Sequence, residues 1–471
     1  MKNTLWILTE ERPKVEVVEQ IVSIFVKDRE ADFSKTKVRI APLFNSEHNF
    51  CFSYEVRGIK SSIISNIYIK IVSGNSSFCD FLIFYQEKEP IEGSEPLYVI
   101  EETKTDDSES RNTGVYQRSS KFVFVDNYFT SAKKIMLYNL QIRQKLKPTS
   151  TYIFGTRMLL TLGVRIIGKQ IDPSVFIPYS SVDEFISSKS TMRSAPKGNV
   201  PIVIKKVSNN EITISGRLFK NNGLAHDPNI GALSIIAATL RKLGWNGKIV
   251  ITKHGLSQSH IKSTNKFIKI ALQLNIDLDG LTLPKKSRLC DNYWKYETKG
   301  EKLGTIFVHL ASEFLTDAVA IFENHAGCEK GYFLKKDATP IPLPKYTDRV
   351  AYKNGDKSKI YYIPDLVLWN KARNEIINIE GKTYENREKG IVEIDNYDSI
   401  EKDFIIPEYA PSTIKRTVVL YGEKNDNEPL HRRIGLLLTD KGRILLGPNP
   451  PSIFEDIIKR ASVKDCGEEK I

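Results

Sequence analysis

Residues 360–382 read IYYIPDLVLWNKARNEIINIEGK. An apolar run opens on Pro364-Asp365, a polar turn follows through Lys371-Ala372-Arg373-Asn374, and a second apolar run closes on Glu380-Gly381-Lys382. This is the pattern of a β-hairpin. Side chains alternate along a strand, so Glu380 and Lys382 share a side, where Asp365 of the neighbouring strand joins them. The expected result is an acidic pocket with one ammonium beside it. Hard Mg²⁺ prefers carboxylate oxygens and keeps positions for water and substrate phosphate, so the pocket suits phosphodiester hydrolysis. The metal would polarise the phosphate and lower the pKa of a bound water, and Lys382 would orient that water or offset developing negative charge.

The pattern occurs twice. Phe78-Cys79-Asp80-Phe81-Leu82-Ile83-Phe84 is an apolar strand carrying one acid, and Leu97 to Lys104, LYVIEETK, is a second strand ending in Glu-x-Lys. With Gln86 to Pro96 as the turn, Asp80, Glu102 and Lys104 form a second triad, in which Glu101 competes with Glu102 for the ligand role. Pro364-Asp365 followed by Glu380-x-Lys382 resembles the PD-(D/E)xK motif of type II restriction endonucleases. The second copy resembles it too, with Cys79 where the proline would stand and a longer connection. The resemblance implies catalytic roles for Asp80, Glu102, Lys104, Asp365, Glu380 and Lys382. It makes Asp80, Glu102, Asp365 and Glu380 ligands of Mg²⁺, with Mn²⁺ as a substitute.

At 471 residues the chain is long enough for two or three domains, each with its own core. The expected architecture is α/β: two restriction-endonuclease-like domains, residues 1–170 and 301–471, each a mixed central sheet flanked by helices. Between them lies a central α/β recognition or linker region, residues 171–300. A net charge of +12 fits a polyanionic partner. Five scattered cysteines without CxxC spacing support neither a disulfide framework nor a zinc site. Acids at Glu10 and Glu11 argue against a signal peptide, and no membrane segment is expected. The location implied is the cytoplasm of a bacterial or archaeal cell.

In chain order, Pro13 to Arg29 carries a helical apolar stripe, with Glu16 and Glu19 as further acids on its polar, solvated face. Asp126 to Lys147 reads as a helix and Thr151 to Ile167 as buried strands. Thr305 to Asn324 reads as one amphipathic helix whose Glu313 could reach the Asp365 pocket. Arg111, Asn112, Tyr116, Gln117, Arg118 and Lys121 follow Glu102-x-Lys104, where a short helix or strand would lay them beside the pocket for contacts to a phosphate backbone. In the centre, Asn229, Lys253 and His254 sit at a helix start and in a polar loop, where amide and basic side chains can read base edges. Arg387 stands just after Glu380-x-Lys382. A catalytic role for His226 or His254 is weaker than a structural or DNA-facing one.

Two non-identical sites in one chain, a monomer or homodimer, would let it cut both strands of double-stranded DNA at an asymmetric sequence. The reading is a site-specific type II restriction endonuclease, with a cognate DNA methyltransferase as genetic partner. Two alternatives stay open. One is a nicking, repair or transposition nuclease with one degenerate site, and the other is a non-catalytic DNA-binding protein that keeps the fold. RNA remains open as a substrate.

Overall fold

The computed structural model describes residues 2–75, 77–103, 114–139, 150–168, 174–190, 202–220, 223–224, 227–288, 292–316, 318–325, 332–342 and 362–463. The protein is mixed α/β, with several mixed sheets flanked by helices. It divides into two compact units, one of Met1–Ser73, Tyr85–Glu89 and Tyr296–Ile471, the other of Gly74–Phe84 and Pro90–Lys295. This division runs across the three consecutive segments expected from the sequence. Burial explains it. Phe307, on the helix Lys302–Leu315, packs its ring 4.8 Å from that of Phe50 and 6.2 Å from that of Phe44, tying the N-terminal strands to the C-terminal unit. Likewise the helix Asp227–Lys242, buried through Leu233, Ile236 and Leu240, packs on the helix Gly114–Val125, so the central region shares a core with the Asp80 hairpin.

In the first unit a six-stranded sheet runs Ala318–Glu323, Leu366–Asn370, Glu375–Thr383, Thr413–Tyr421, Ile434–Leu438, Ile444–Leu446 in spatial order. The first three strands are antiparallel; Glu375–Thr383, Thr413–Tyr421 and Ile434–Leu438 are parallel. A parallel pair needs a crossover, and residues 384–409 supply it as a succession of short helical turns buried through Tyr384, Ile394, Tyr397, Ile400, Ile405 and Tyr409. The single helix expected over Thr305 to Asn324 is instead a helix ending at Leu315 and an edge strand, Ala318–Glu323, paired with Leu366–Asn370.

In the second unit Phe81–Gln86, whose first four residues belong here, pairs antiparallel with Tyr98–Thr103; Lys133–Tyr138 and Arg165–Gly168 then continue the sheet in parallel. The helix Gly114–Val125 connects the second and third of these strands. Two expectations exchange places: Lys133–Tyr138 is a strand within the expected helix, and Ser150–Thr161 is a helix within the expected strands. A short apolar run buried on both faces has no distinguishing period, so tertiary context decides its type. A second sheet orders Ile276–Leu278, Lys248–Thr252, Glu211–Ser215 and Val203–Ser208. Among the described residues no helix is long and apolar enough to cross a membrane.

Candidate active sites

The hairpin of the first unit forms as expected. Leu366 pairs with Ile379, which puts Asp365 and Glu380 opposite one another at the strand ends. Asp365 Oδ2 accepts the backbone N–H of Gly381 at 2.8 Å. This approach needs glycine: a Cβ at Gly381 would lie 2.5 Å from Thr305 Cγ2 and 3.2 Å from Asp365 Oδ2. Lys382 donates to Glu380 Oε1 and lies 2.8 Å from Glu393 of the following helix. Tyr397, from the crossover, donates its hydroxyl to Glu380 Oε2. Asp365, Glu380 and Lys382 are thus gathered in one pocket, with Glu393 and Tyr397 added by the crossover. Burial, opposed by the Gly381 N–H and Lys382, raises Asp365 to about 7, and burial together with the charge of Asp365 raises Glu380 to about 8. Lys382 is raised above its ordinary value, the charge of Glu380 outweighing burial. Burial and the proximity of the two carboxyls thus favour their protonated forms, and a divalent cation would favour the ionised ones.

The second unit repeats this register one residue away from the expected position. Phe81 pairs with Ile100, so the residue opposite Asp80 is Glu101 rather than Glu102. Asp80 Oδ2 accepts the backbone N–H of Glu102 at 2.7 Å, the bond that Asp365 makes to Gly381. Glu101 is fully buried, and its Oε2 lies 3.3 Å from the Asp80 amide. Glu102 points its carboxylate elsewhere and accepts from Asn139 Nδ2 at 3.0 Å. A one-residue slip moves each side chain to the opposite face of a strand. The position equivalent to Lys382 is therefore Thr103, and the expected Lys104 lies outside the described residues.

The ammonium comes from elsewhere. Lys121, on the helix Gly114–Val125, places Nζ 2.8 Å from the Glu101 carboxylate and 3.8 Å from Asp80. Arg118, one turn earlier, donates to the Glu102 carbonyl and reaches Glu101 at 3.4 Å. Burial first and then the charge of Asp80 raise Glu101 to about 7. Lys121 is raised above its ordinary value: burial acts against it and the charges of Glu101 and Asp80 prevail. Sequence reasoning named Glu101 only as a competitor, and laid Lys121 beside the pocket as a phosphate contact rather than as the ammonium of the site. Register could have been weighed from the tandem acids, but no local signal gives a lysine twenty residues downstream that role. Cys79 in place of proline is also explained: its N–H donates to the Tyr293 hydroxyl at 2.9 Å, which a proline could not do.

The remaining expected residues are dispersed. Arg111 and Asn112 lie outside the described residues, and of Gln117 only the backbone, in the Gly114 helix, is described. Asn229 is occupied by a 2.7 Å bond to the Arg217 carbonyl. Lys253 is exposed, at a positive φ of 54°. His254 is buried, and its ring nitrogens are engaged by the Leu256 amide of its own loop and by the Asp279 carbonyl just after the strand Ile276–Leu278, the contacts of a structural imidazole. His226 is outside the described residues. Arg387 stacks on Tyr384 with 4.6 Å to the ring centre and lies 3.5 Å from Asp426. Glu19 pairs with Lys35. Glu313 sits near the far end of the Lys302 helix among His309 and Arg12, away from the pocket it was expected to serve. The acid at the near end is Glu301, whose charge helps to raise Asp365.

Comparison of the chain with protein-family models, with curated proteins and with solved structures found no match.

Proposed function

We propose that the protein is a Mg²⁺-dependent, site-specific endonuclease of double-stranded DNA from a restriction-modification system, with two active sites that each cut one strand. The observation that carries this reading is the repeated register: in both hairpins an aspartate stands opposite a glutamate and accepts the N–H of the residue after it. Asp365 with Glu380, and Asp80 with Glu101, would hold the cation, and Mn²⁺ has the same taste for carboxylate oxygen. The bound ion supplies Lewis acidity toward phosphate and acidifies a water.

The protein's own groups do the rest. Lys382 and Lys121 each place a positive charge against the glutamate, where they orient a nucleophile or offset charge that develops on phosphate. Glu393 and Tyr397 hold Lys382 and Glu380 in place in the first pocket; Arg118 does so for Glu101 in the second. The net charge of +12 suits the polyanion. A cognate DNA methyltransferase would protect the host, and the enzyme would work inside a bacterial or archaeal cell.

One observation favours a second reading. Thr103 stands where the first pocket has Lys382, which suits a chain whose Asp80 site is impaired and which nicks one strand. Digestion of a supercoiled plasmid with Mg²⁺ separates the two. Discrete linear fragments from the parent, with nicked circles from Asp80→Ala and from Asp365→Ala, support two strand-dedicated sites. Nicked circles from the parent support the nicking enzyme. Absence of cleavage with either Mg²⁺ or Mn²⁺ leaves a DNA-binding protein that keeps the fold.

A further inference from the structure

A second polar cluster lies in the first unit, apart from the carboxylates of the hairpin pocket. His309 is fully buried on the Lys302 helix, and Glu323 and His325 stand at the end of the edge strand Ala318–Glu323. His309 Nδ1 is 2.9 Å from His325 Nε2 and 3.5 Å from Glu323 Oε2, and His325 Nε2 is 4.0 Å from Glu323 Oε2. A tetrahedral Zn²⁺ with bonds of about 2.0–2.1 Å spaces its ligand atoms about 3.3 Å apart, close to this triangle.

The outer hydrogen bonds allow both inner nitrogens to act as acceptors. His309 Nε2 lies 3.2 Å from Glu313 Oε1, which can only accept, so Nε2 carries a hydrogen. When the Thr305 hydroxyl is given to the Lys302 carbonyl at 3.2 Å, its oxygen accepts from His325 Nδ1 at 2.9 Å. In the resulting neutral tautomers, His309 Nδ1 and His325 Nε2 both present lone pairs to the same point, and Glu323 adds a carboxylate. Three lone pairs in one place repel unless a cation lies among them. Each histidine moreover has the outer partner typical of a metal ligand, a carboxylate for one and a hydroxyl for the other. Arg12 holds Glu323 through bonds of 2.6 and 3.0 Å, and each carboxylate oxygen retains a second lone pair.

We infer that His309 Nδ1, His325 Nε2 and Glu323 Oε2 form a transition-metal site, of Zn²⁺ type, with one position left for water. The half-buried Glu323 side opens it to solvent. Its place gives it a structural role. Between two of its ligands, Asn324 donates its N–H to the Asp365 carbonyl at 2.7 Å, and Thr305 sits where a Cβ of Gly381 would be. An ion here braces the strand that presents Asp365.

The rival occupant is a proton between the two rings, carried either by His325 Nε2 of a neutral pair or by a His309 imidazolium that donates to both His325 and Glu313. Cobalt decides between them, since tetrahedral Co²⁺ gives strong visible absorption. The full-length protein, stripped with EDTA, is titrated with Co²⁺ and then with Zn²⁺. We expect one equivalent of the visible band, its displacement by Zn²⁺, and the same result in the double variant Asp365→Ala, Glu380→Ala. His325→Gln should lose the band while circular dichroism stays unchanged; should it fail to fold, Glu323→Gln replaces it. A colourless parent protein, or a band that survives in the folded variant, overturns the inference and leaves the proton as occupant.

Discussion

The Lys121 ammonium, carried on a helix, lies 2.8 Å from the carboxylate of Glu101, carried on a strand. In the other pocket the corresponding pair, Glu380 and Lys382, share a single strand. The same charge arrangement is reached by two chain paths. What the pocket requires is therefore an ammonium against a buried glutamate, not a particular spacing in sequence.

Glu101 and Glu102 are the sharpest separation available. Glu101→Gln should reduce cutting of its strand by at least about 100-fold, because loss of the carboxylate that would hold the cation removes positive charge from the reacting phosphate. Glu102→Gln, whose carboxylate meets Asn139, should cost far less. Lys121→Ala should resemble Glu101→Gln. Single-turnover rates on DNA labelled in each strand provide the measurement, and equal losses for Glu101→Gln and Glu102→Gln would refute the register assignment.

Without a divalent ion, the raised Asp365 and Glu380 make stability depend on pH with a definite sign. Their folded values, about 7 and about 8, exceed those of an unfolded carboxyl, so the folded chain holds extra protons between about pH 4 and 8. Their contribution is fully present below that window and is lost as pH rises through it. Urea midpoints in EDTA should fall from pH 5.5 to 8.5, and the fall should shrink in the variant Asp365→Asn, Glu380→Gln. Mg²⁺ should restore stability at the upper end, because only the ionised pair binds it.

Gly381 is confined by Thr305 and Asp365. Gly381→Ala should destabilise the first unit by about 1–3 kcal/mol through overpacking, and should weaken cutting by displacing Asp365. Chemical denaturation tests the first effect. If the variant matched the parent in both stability and rate, Thr305 and the strand would have to be freer than their packing implies.

Tyr397 reaches Glu380 from the crossover, far from any motif. Burial and the charge of Glu380 raise its hydroxyl well above the ordinary value, so it remains a donor throughout the working range. Tyr397→Phe should lower Mn²⁺ affinity by about 10-fold or more, the usual cost of losing an outer partner of a ligand. Calorimetric titration in the absence of DNA would register it, and unchanged affinity would show that Glu380 is oriented without the tyrosine.

The amino-acid sequence alone determined both hairpins, because an apolar strand, a polar turn and a second apolar strand are written in neighbouring residues. In the Asp365 copy it determined the grouping of Asp365, Glu380 and Lys382 as well. Ile379, Glu380 and Lys382 lie in one strand whose alternation is a local rule, and Pro364-Asp365 opens the strand beside it. In the Asp80 copy the same rule needed a register, and tandem Glu101-Glu102 offered two. The match to Glu-x-Lys selected the face turned to Asn139. Register is set by the pairing of Phe81 with Ile100, a contact between segments. Only tertiary structure could bring Lys121 to Glu101, Tyr397 to Glu380, and His325 to His309, since each pairing depends on how a helix packs back on a sheet. The division into units was decided there too. Strands near the N-terminus bury their aromatics against the Lys302 helix, and burial of apolar surface takes no account of distance along the chain.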